Sequence, residues 1–179
     1  MKIIIQKVKA ASVTFEQKKN EIKSGICVLL GIHETDFTAD ADYIVNKILN
    51  TRIFDDEDGK AWGASVQSLG LEILLVSQFT LYGYLKGNKP DFHYAMKNGP
   101  SRRLFDYVVQ KIQTAMPGKV QVGFFGEDML VDITNDGPCT LIIESRDEAR
   151  VEDQLQQMSK IGGVKATKMY EKEKHLWIE

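Results

Sequence analysis

The sequence predicts an α+β domain on a largely antiparallel sheet, and three observations carry the prediction. Short runs rich in Ile, Val, Leu and Phe recur through residues 1–145, turn residues separate them, and only two segments adopt helical periodicity. The strand segments are 2–8, 12–15, 21–32, 71–80, 119–124, 129–134 and 140–144. Ser24-Gly25, Asp58-Gly59, Pro117-Gly118 and Asn135-Asp136-Gly137-Pro138 punctuate them, and the last reads as a turn between two strands. In 38–50, Ala41, Ile44, Val45, Ile48 and Leu49 share one helical face, with Thr38 as the expected N-cap and Asp40 and Asp42 in the first turn. In 101–116, Leu104, Phe105, Val108, Val109 and Ile112 form a second stripe behind Pro100. Two helices are too few for a βαβ series, which favours antiparallel pairing.

The 179 residues argue for one domain, or one domain with a tail. Composition shifts near Ser145. Residues 146–179 carry seven basic and seven acidic side chains with a sparse apolar pattern, and Gly162-Gly163 divides them into a helical stretch and a Lys/Glu-rich end. The expected organisation is therefore a domain over 1–145 and a charged, partly helical C-terminal extension over 146–179.

Charge and hydropathy exclude several classes. With 23 basic and 25 acidic residues, the net charge of -2 excludes a protein that grips nucleic acid through bulk positive charge, but not an enzyme that holds one short single-stranded end. The longest apolar run, residues 25–32, is far short of the ~20 residues of a membrane span. Lys2, Lys7 and Lys9 interrupt the apolar start, so a signal peptide is not expected and the reading is cytoplasmic with no membrane partner. Cys27 and Cys139 sit in strand-like apolar runs and read as small buried hydrophobes.

The common catalytic signatures are absent. No phosphate-binding glycine loop of either standard type occurs, and His33, His93 and His175 lack metal-ligand spacing, so no cofactor and no metal are expected. Asp55-Asp56-Glu57-Asp58-Gly59 fails as a calcium loop, because with Gly59 as the sixth position Phe54 is first and Ser65 twelfth; it reads as a solvated hairpin turn. Ser77 and Thr80 are candidate nucleophiles with His93 as the nearest base in sequence, although isolated hydroxyls at a strand end more commonly satisfy backbone groups.

Two segments are informative together. Val76-Ser77-Gln78-Phe79-Thr80-Leu81 and Asn135-Asp136-Gly137-Pro138-Cys139-Thr140 resemble the two signature motifs of the D-aminoacyl-tRNA deacylases. The resemblance extends to the start at 5–14, to 52–56, to Lys86-Gly-Asn-Lys-Pro-Asp-Phe-His93 (closest to the eukaryotic branch) and to 125–129. It implies a homodimeric hydrolase that cleaves the ester between a D-amino acid, or glycine, and the 3′-terminal adenosine of tRNA. It further implies a barrel-like sheet with helices outside and a pocket at the dimer interface. Gly137 and Pro138, joined by a cis peptide, would reach into the partner's pocket and exclude L-stereoisomers with their backbone oxygens. Ser77, Gln78, Phe79 and Thr80 would line the pocket, and Phe125 and Met129 match positions near the adenosine. Where the family usually has Arg near the Gly-Pro loop, this chain has Lys7, which cannot make a planar bidentate contact.

That resemblance suits the failed motif search. An aminoacyl ester is already activated, and backbone N–H donors can supply about 2.7–4 kcal/mol each toward an oxyanion without a catalytic side chain. The Phe79 and Thr80 amides are the candidate donors, with the substrate's ribose 2′-hydroxyl as participant. Two alternatives remain at this stage: a nucleophilic hydrolase using Thr80 or Cys139, and a nucleic-acid-binding dimer acting through 146–179.

Overall fold

β1 (Lys2–Phe15) forms the spine of the fold, in a computed structural model that describes residues 1–146. The two strand segments expected at 2–8 and 12–15 are one bent strand. Its first half lies between β3 (Gly25–Gly31) and one end of β10 (Leu130–Glu144), and its second half between β2 (Lys18–Ile22) and the other end of β10, all antiparallel. β6 (Glu72–Ser77) and β9 (Val120–Val122) continue the sheet, giving the order β10-β1-β3-β6-β9. Asn20 Nδ2 on β2 donates to Val122 O on β9 at 2.7 Å and brings the sheet round to a nearly closed barrel.

The class is α+β and barrel-like with two helices, as expected, but the sheet is mixed. β3–β6 and β6–β9 are parallel pairs. The chain reaches them through α1 (Thr38–Asn50) and α2 (Asn98–Ala115), because parallel neighbours cannot be joined by a tight turn. The two helices, expected to be too few for a βαβ series, thus both serve as crossovers. This also explains the unbroken apolar runs Ile26–Leu30 and Ile73–Val76, since strands covered on both faces lose the alternating pattern. Ile26, Val28, Leu30, Ile73 and Leu75 face the helices, meeting Ile44 and Ile48 of α1 and Phe105, Val108 and Ile112 of α2. Cys27, Leu74 and Val76 face the barrel interior with Val8 and Val13. Each such side chain, when fully buried, contributes roughly 1.5–3 kcal/mol.

Local details depart from the sequence reading at element ends. Phe37, not Thr38, caps α1, because the Asp40 carboxylate turns back to accept the Phe37 N–H at 3.2 Å. α2 starts at Asn98, with Pro100 inside its first turn, where its missing N–H has no intrahelical partner to lose. The Asp55–Gly59 segment is a turn between β4 (Arg52–Phe54) and β5 (Ala64–Ser65), and Asp56 Oδ1 accepts the amides of Asp58 and Lys60. A second hairpin, β7 (Tyr84–Lys86) and β8 (Lys89–Asp91), had no sequence expectation; Gly87 turns it at φ +62°.

Asn135-Asp136-Gly137-Pro138 is not a turn between strands. It lies within β10, where the ladder to β1 steps from Thr140 opposite Gln6 to Asn135 opposite Val8. Asp136–Cys139 therefore leave the ladder opposite Lys7 alone. Residues Met1–Ser145 form one compact unit, and the helical stretch and charged end expected in the extension fall outside the described residues. No helix among the described residues is long and apolar enough to cross a membrane.

Candidate functional site

β6 ends at Ser77 beside β3, and the Gln78 N–H donates to Leu30 O at 2.8 Å, so the segment that follows is rigidly attached to the sheet. The predicted strand to residue 80 stops here. Phe79–Tyr82 instead make one 3₁₀ turn, closed by Leu81 N–H to Gln78 O at 3.2 Å and Gly83 N–H to Thr80 O at 2.9 Å. The first amides of such a turn have no intrahelical acceptor. Those of Phe79 and Thr80 donate to no protein acceptor among the described residues. Gln78 Nε2 donates to Thr80 Oγ1 at 2.5 Å, which fixes both polar side chains. The Phe79 ring, 58% exposed, stands edge-on to Phe92 at 5.1 Å.

This turn forms one wall of a cavity of about 730 Å³. Phe125 and Met129 also line it. Met129 Sδ accepts the Phe124 N–H at 3.0 Å and so ties the loop across its own base. The Phe125 ring packs against Phe105 at 5.1 Å, and the Arg102 guanidinium lies 5.3 Å from its centroid. Asp106 holds Arg102 through Nε, with both carboxylate oxygens within 3.0 Å.

Six of the nine residues singled out from sequence, namely Ser77, Gln78, Phe79, Thr80, Phe125 and Met129, line this one cavity. Lys7, Gly137 and Pro138 do not. They sit together on the β1/β10 bulge, where the Gly137–Pro138 peptide is cis and Gly137 has φ +118°. Lys7 Nζ is 3.6 Å from Asp136 Oδ2 and 5.3 Å from the centroid of the buried Phe54 ring, and Lys9 Nζ reaches the same carboxylate oxygen at 3.1 Å.

The wall between 92 and 101 was not anticipated. Phe92, Ala95, Met96, Asn98 and Ser101 all line the cavity. The i, i+3 spacing of Asn98 and Ser101 at a helix start was the available signal. His93, the nearest base in sequence to Ser77 and Thr80, is absent from the lining. Its side chain is 75% exposed and its Nδ1 contacts Asp91 Oδ1. Lys86, 2.7 Å from Asp91 and the main cause, together with His93 holds that carboxyl well below the usual range. No histidine, lysine, arginine or cysteine lines the cavity among the described residues. Cys139 lies outside it and is half-buried, and both cysteines are free thiols. Burial pushes the Cys27 thiol up to about 12.

Known proteins share this sequence and fold. The family model for D-Tyr-tRNA(Tyr) deacylase matches residues 4–144. D-aminoacyl-tRNA deacylase 1 of Danio rerio is 48% identical over 147 residues, 81% of this chain and 71% of that protein. The D-aminoacyl-tRNA deacylase of Drosophila melanogaster is 46% identical over 150 residues, 83% of this chain and 94% of that protein. Among solved structures, the c-Myc DNA Unwinding Element Binding Protein superposes with a TM-score of 0.78 at 44% identity, covering 82% of this chain and all of that one. A family match across nearly the whole described unit, relatives close to half identical and a shared fold place this chain in the D-aminoacyl-tRNA deacylase family.

Proposed function

We propose that the chain hydrolyses the ester of D-aminoacyl-tRNA and glycyl-tRNA and rejects L-aminoacyl-tRNA. The observation that carries the chemistry is the pair of Phe79 and Thr80 amides, which among the described residues have no protein acceptor, beside a cavity lined by no histidine among those residues. Water attacks the ester carbonyl carbon, and the developing oxyanion takes hydrogen bonds from these amides. The ribose oxygen leaves with a proton that originates from the water. The substrate's 2′-hydroxyl positions or relays it. Preorganised donors of this kind need no reorganisation during the reaction. Phe125 and Met129 offer the terminal adenosine an apolar wall.

Stereoselection is assigned to Gly137 and Pro138 of a second copy. Two observations support this. The pair does not line its own chain's cavity. β10 is an edge strand of 15 residues that leaves Leu130 and Ile142 largely exposed, apolar area suited to burial against an identical chain. A filter of backbone oxygens senses only the geometry at Cα, so it accepts many D-side chains and cannot reject glycine. The deacylase unit is placed in 1–145, in line with a family match ending at residue 144, with 146–179 as an extension. The protein is assigned to the cytoplasm.

The experiment is single-turnover cleavage of D-, L- and glycyl-tRNA by the full chain. The D- and glycyl esters are expected to be cleaved and the L-ester to persist at high enzyme. Equal rates on D- and L-esters, or cleavage of none, would defeat the proposal. Thr80→Ala is expected to stay within about tenfold of wild type, ~1.4 kcal/mol in the barrier. A loss approaching the ~10⁶-fold typical of a removed nucleophile would transfer the chemistry to a covalent mechanism.

A further inference from the structure

β1 departs from its ladder with β10 twice. Lys7 alone faces Asp136–Cys139, and Lys9 is an extra residue between Val8, opposite Asn135, and Ala10, opposite Thr134. A bulge re-aims the side chain it carries. Both lysines converge on one oxygen, Asp136 Oδ2, with Lys9 at 3.1 Å and Lys7 at 3.6 Å. Asp136 immediately precedes Gly137, whose φ of +118° lies where only glycine moves freely. The backbone of the loop therefore does little to fix its own direction. Its far end is held by Cys139, packed against the apolar core.

We propose that Asp136, clamped by Lys9 and Lys7, is the strut that orients the Gly137–Pro138 loop, and that Lys9 is a positioning residue for stereochemical selection. The inference rests on the reading of that loop as the filter. Its physical basis is a two-ended anchorage: apolar packing at Cys139 and charge at Asp136. The two lysines are not equivalent. Lys7 is further confined by Phe54, whereas the Lys9 side chain is 65% exposed and open to salt. Lys9 is also the largest cause of the lowered pKa of the Asp136 carboxyl, ahead of Lys7. One arginine would present a planar fork to the loop; two point charges from β1 reach a single carboxylate instead.

The test is the ratio of D- to L-aminoacyl-tRNA cleavage under single-turnover conditions, with the full chain. Lys9→Met is expected to lower the ratio about two- to fivefold at low salt, the range of one exposed ion pair, with an unchanged melting temperature. Lys9→Arg should restore it to within about twofold, and Asp136→Asn, which removes both ion pairs, should lower it about tenfold. Added salt should erode the ratio in the wild type but not in Lys9→Met. An unchanged ratio in Lys9→Met, or failure of Arg to rescue, would overturn the proposal. If the wild type itself shows no preference for D-esters, the filter reading is what fails. Hydrogen exchange at the Gly137 and Cys139 amides then decides the strut: faster exchange in Lys9→Met supports it, and unchanged exchange overturns it.

Discussion

Gly31→Ala pushes on the 3₁₀ turn from a position that does not itself line the cavity. Gly31 is buried at the end of β3, directly behind the turn. A Cβ there would stand 2.9 Å from Leu81 Cβ, 3.1 Å from Gln78 O and 3.3 Å from Tyr82 Cδ2. Ordinary carbon contacts are about 3.5–4.0 Å, so the turn must retreat by roughly 0.6–1 Å. Overpacking of this kind costs about 1–3 kcal/mol. At roughly 2–4 °C per kcal/mol for a chain of this size, a cost near ~2 kcal/mol lowers the melting temperature by about 4–8 °C. The effect on rate should be larger than that on stability, because a ~1 Å misplacement of reacting groups can cost ~10²-fold. The expected result is a single-turnover rate on D-aminoacyl-tRNA down about tenfold or more, with a folded protein and little change in substrate affinity. Gly25→Ala is the contrasting control. Its Cβ would lie 1.9 Å from the Glu72 backbone oxygen, so it should prevent β3–β6 pairing and lose the fold. Wild-type cleavage by a Gly31→Ala protein with a lowered melting temperature would refute the assignment of the chemistry to the turn's amides.

Two further outcomes are expected. Ile142→Asp, at a position 68% exposed on β10, should leave the fold intact, convert a dimer to a monomer in sedimentation and reduce deacylation more than tenfold; an active monomer would separate assembly from activity. At pH 8 the Cys27 thiol, with its pKa pushed to about 12 by burial, is ionised to only about one part in 10⁴, so an aromatic disulfide reagent should titrate Cys139 alone until the protein is denatured. Rapid reaction of two thiols in the native protein would contradict the packing around β3.

Much of this was legible in the sequence because the signals are local. The helical stripes at 38–50 and 101–116 face the core through the residues named from periodicity, Ile44 and Ile48 in one, Phe105, Val108 and Ile112 in the other. The cavity residues came from motif resemblance rather than from pattern. Composition could not have found Phe79, an exposed aromatic whose proposed role lies in its amide. What was missed depends on pairing between distant segments. Parallel register for Ile26–Leu30 with Ile73–Ser77 leaves no mark except continuous apolarity, which an antiparallel sheet buried on both faces would also show. The excursion at Asp136–Cys139 reads as a turn because Gly and Pro favour turns; its continuation as β10 is imposed by β1, more than 120 residues earlier. The contact of Lys9 with Asp136 was likewise invisible, since it follows from a bulge.

Among the described residues the first strand pairs with the last: Lys2 lies opposite Glu144. On the ribosome, β1 must therefore wait for its outer partner while the intervening chain is made, roughly 7–28 s at ordinary elongation rates. Through that interval the nascent chain can build β1–β3–β6 and both helices, yet it presents an open apolar edge along its whole length. Non-local pairings of this kind are slow to close and expose the chain to association with its neighbours. Messages truncated before Leu130 would yield a body that can neither close this edge nor carry a Gly-Pro loop, a product for chaperones and proteases rather than a partial enzyme.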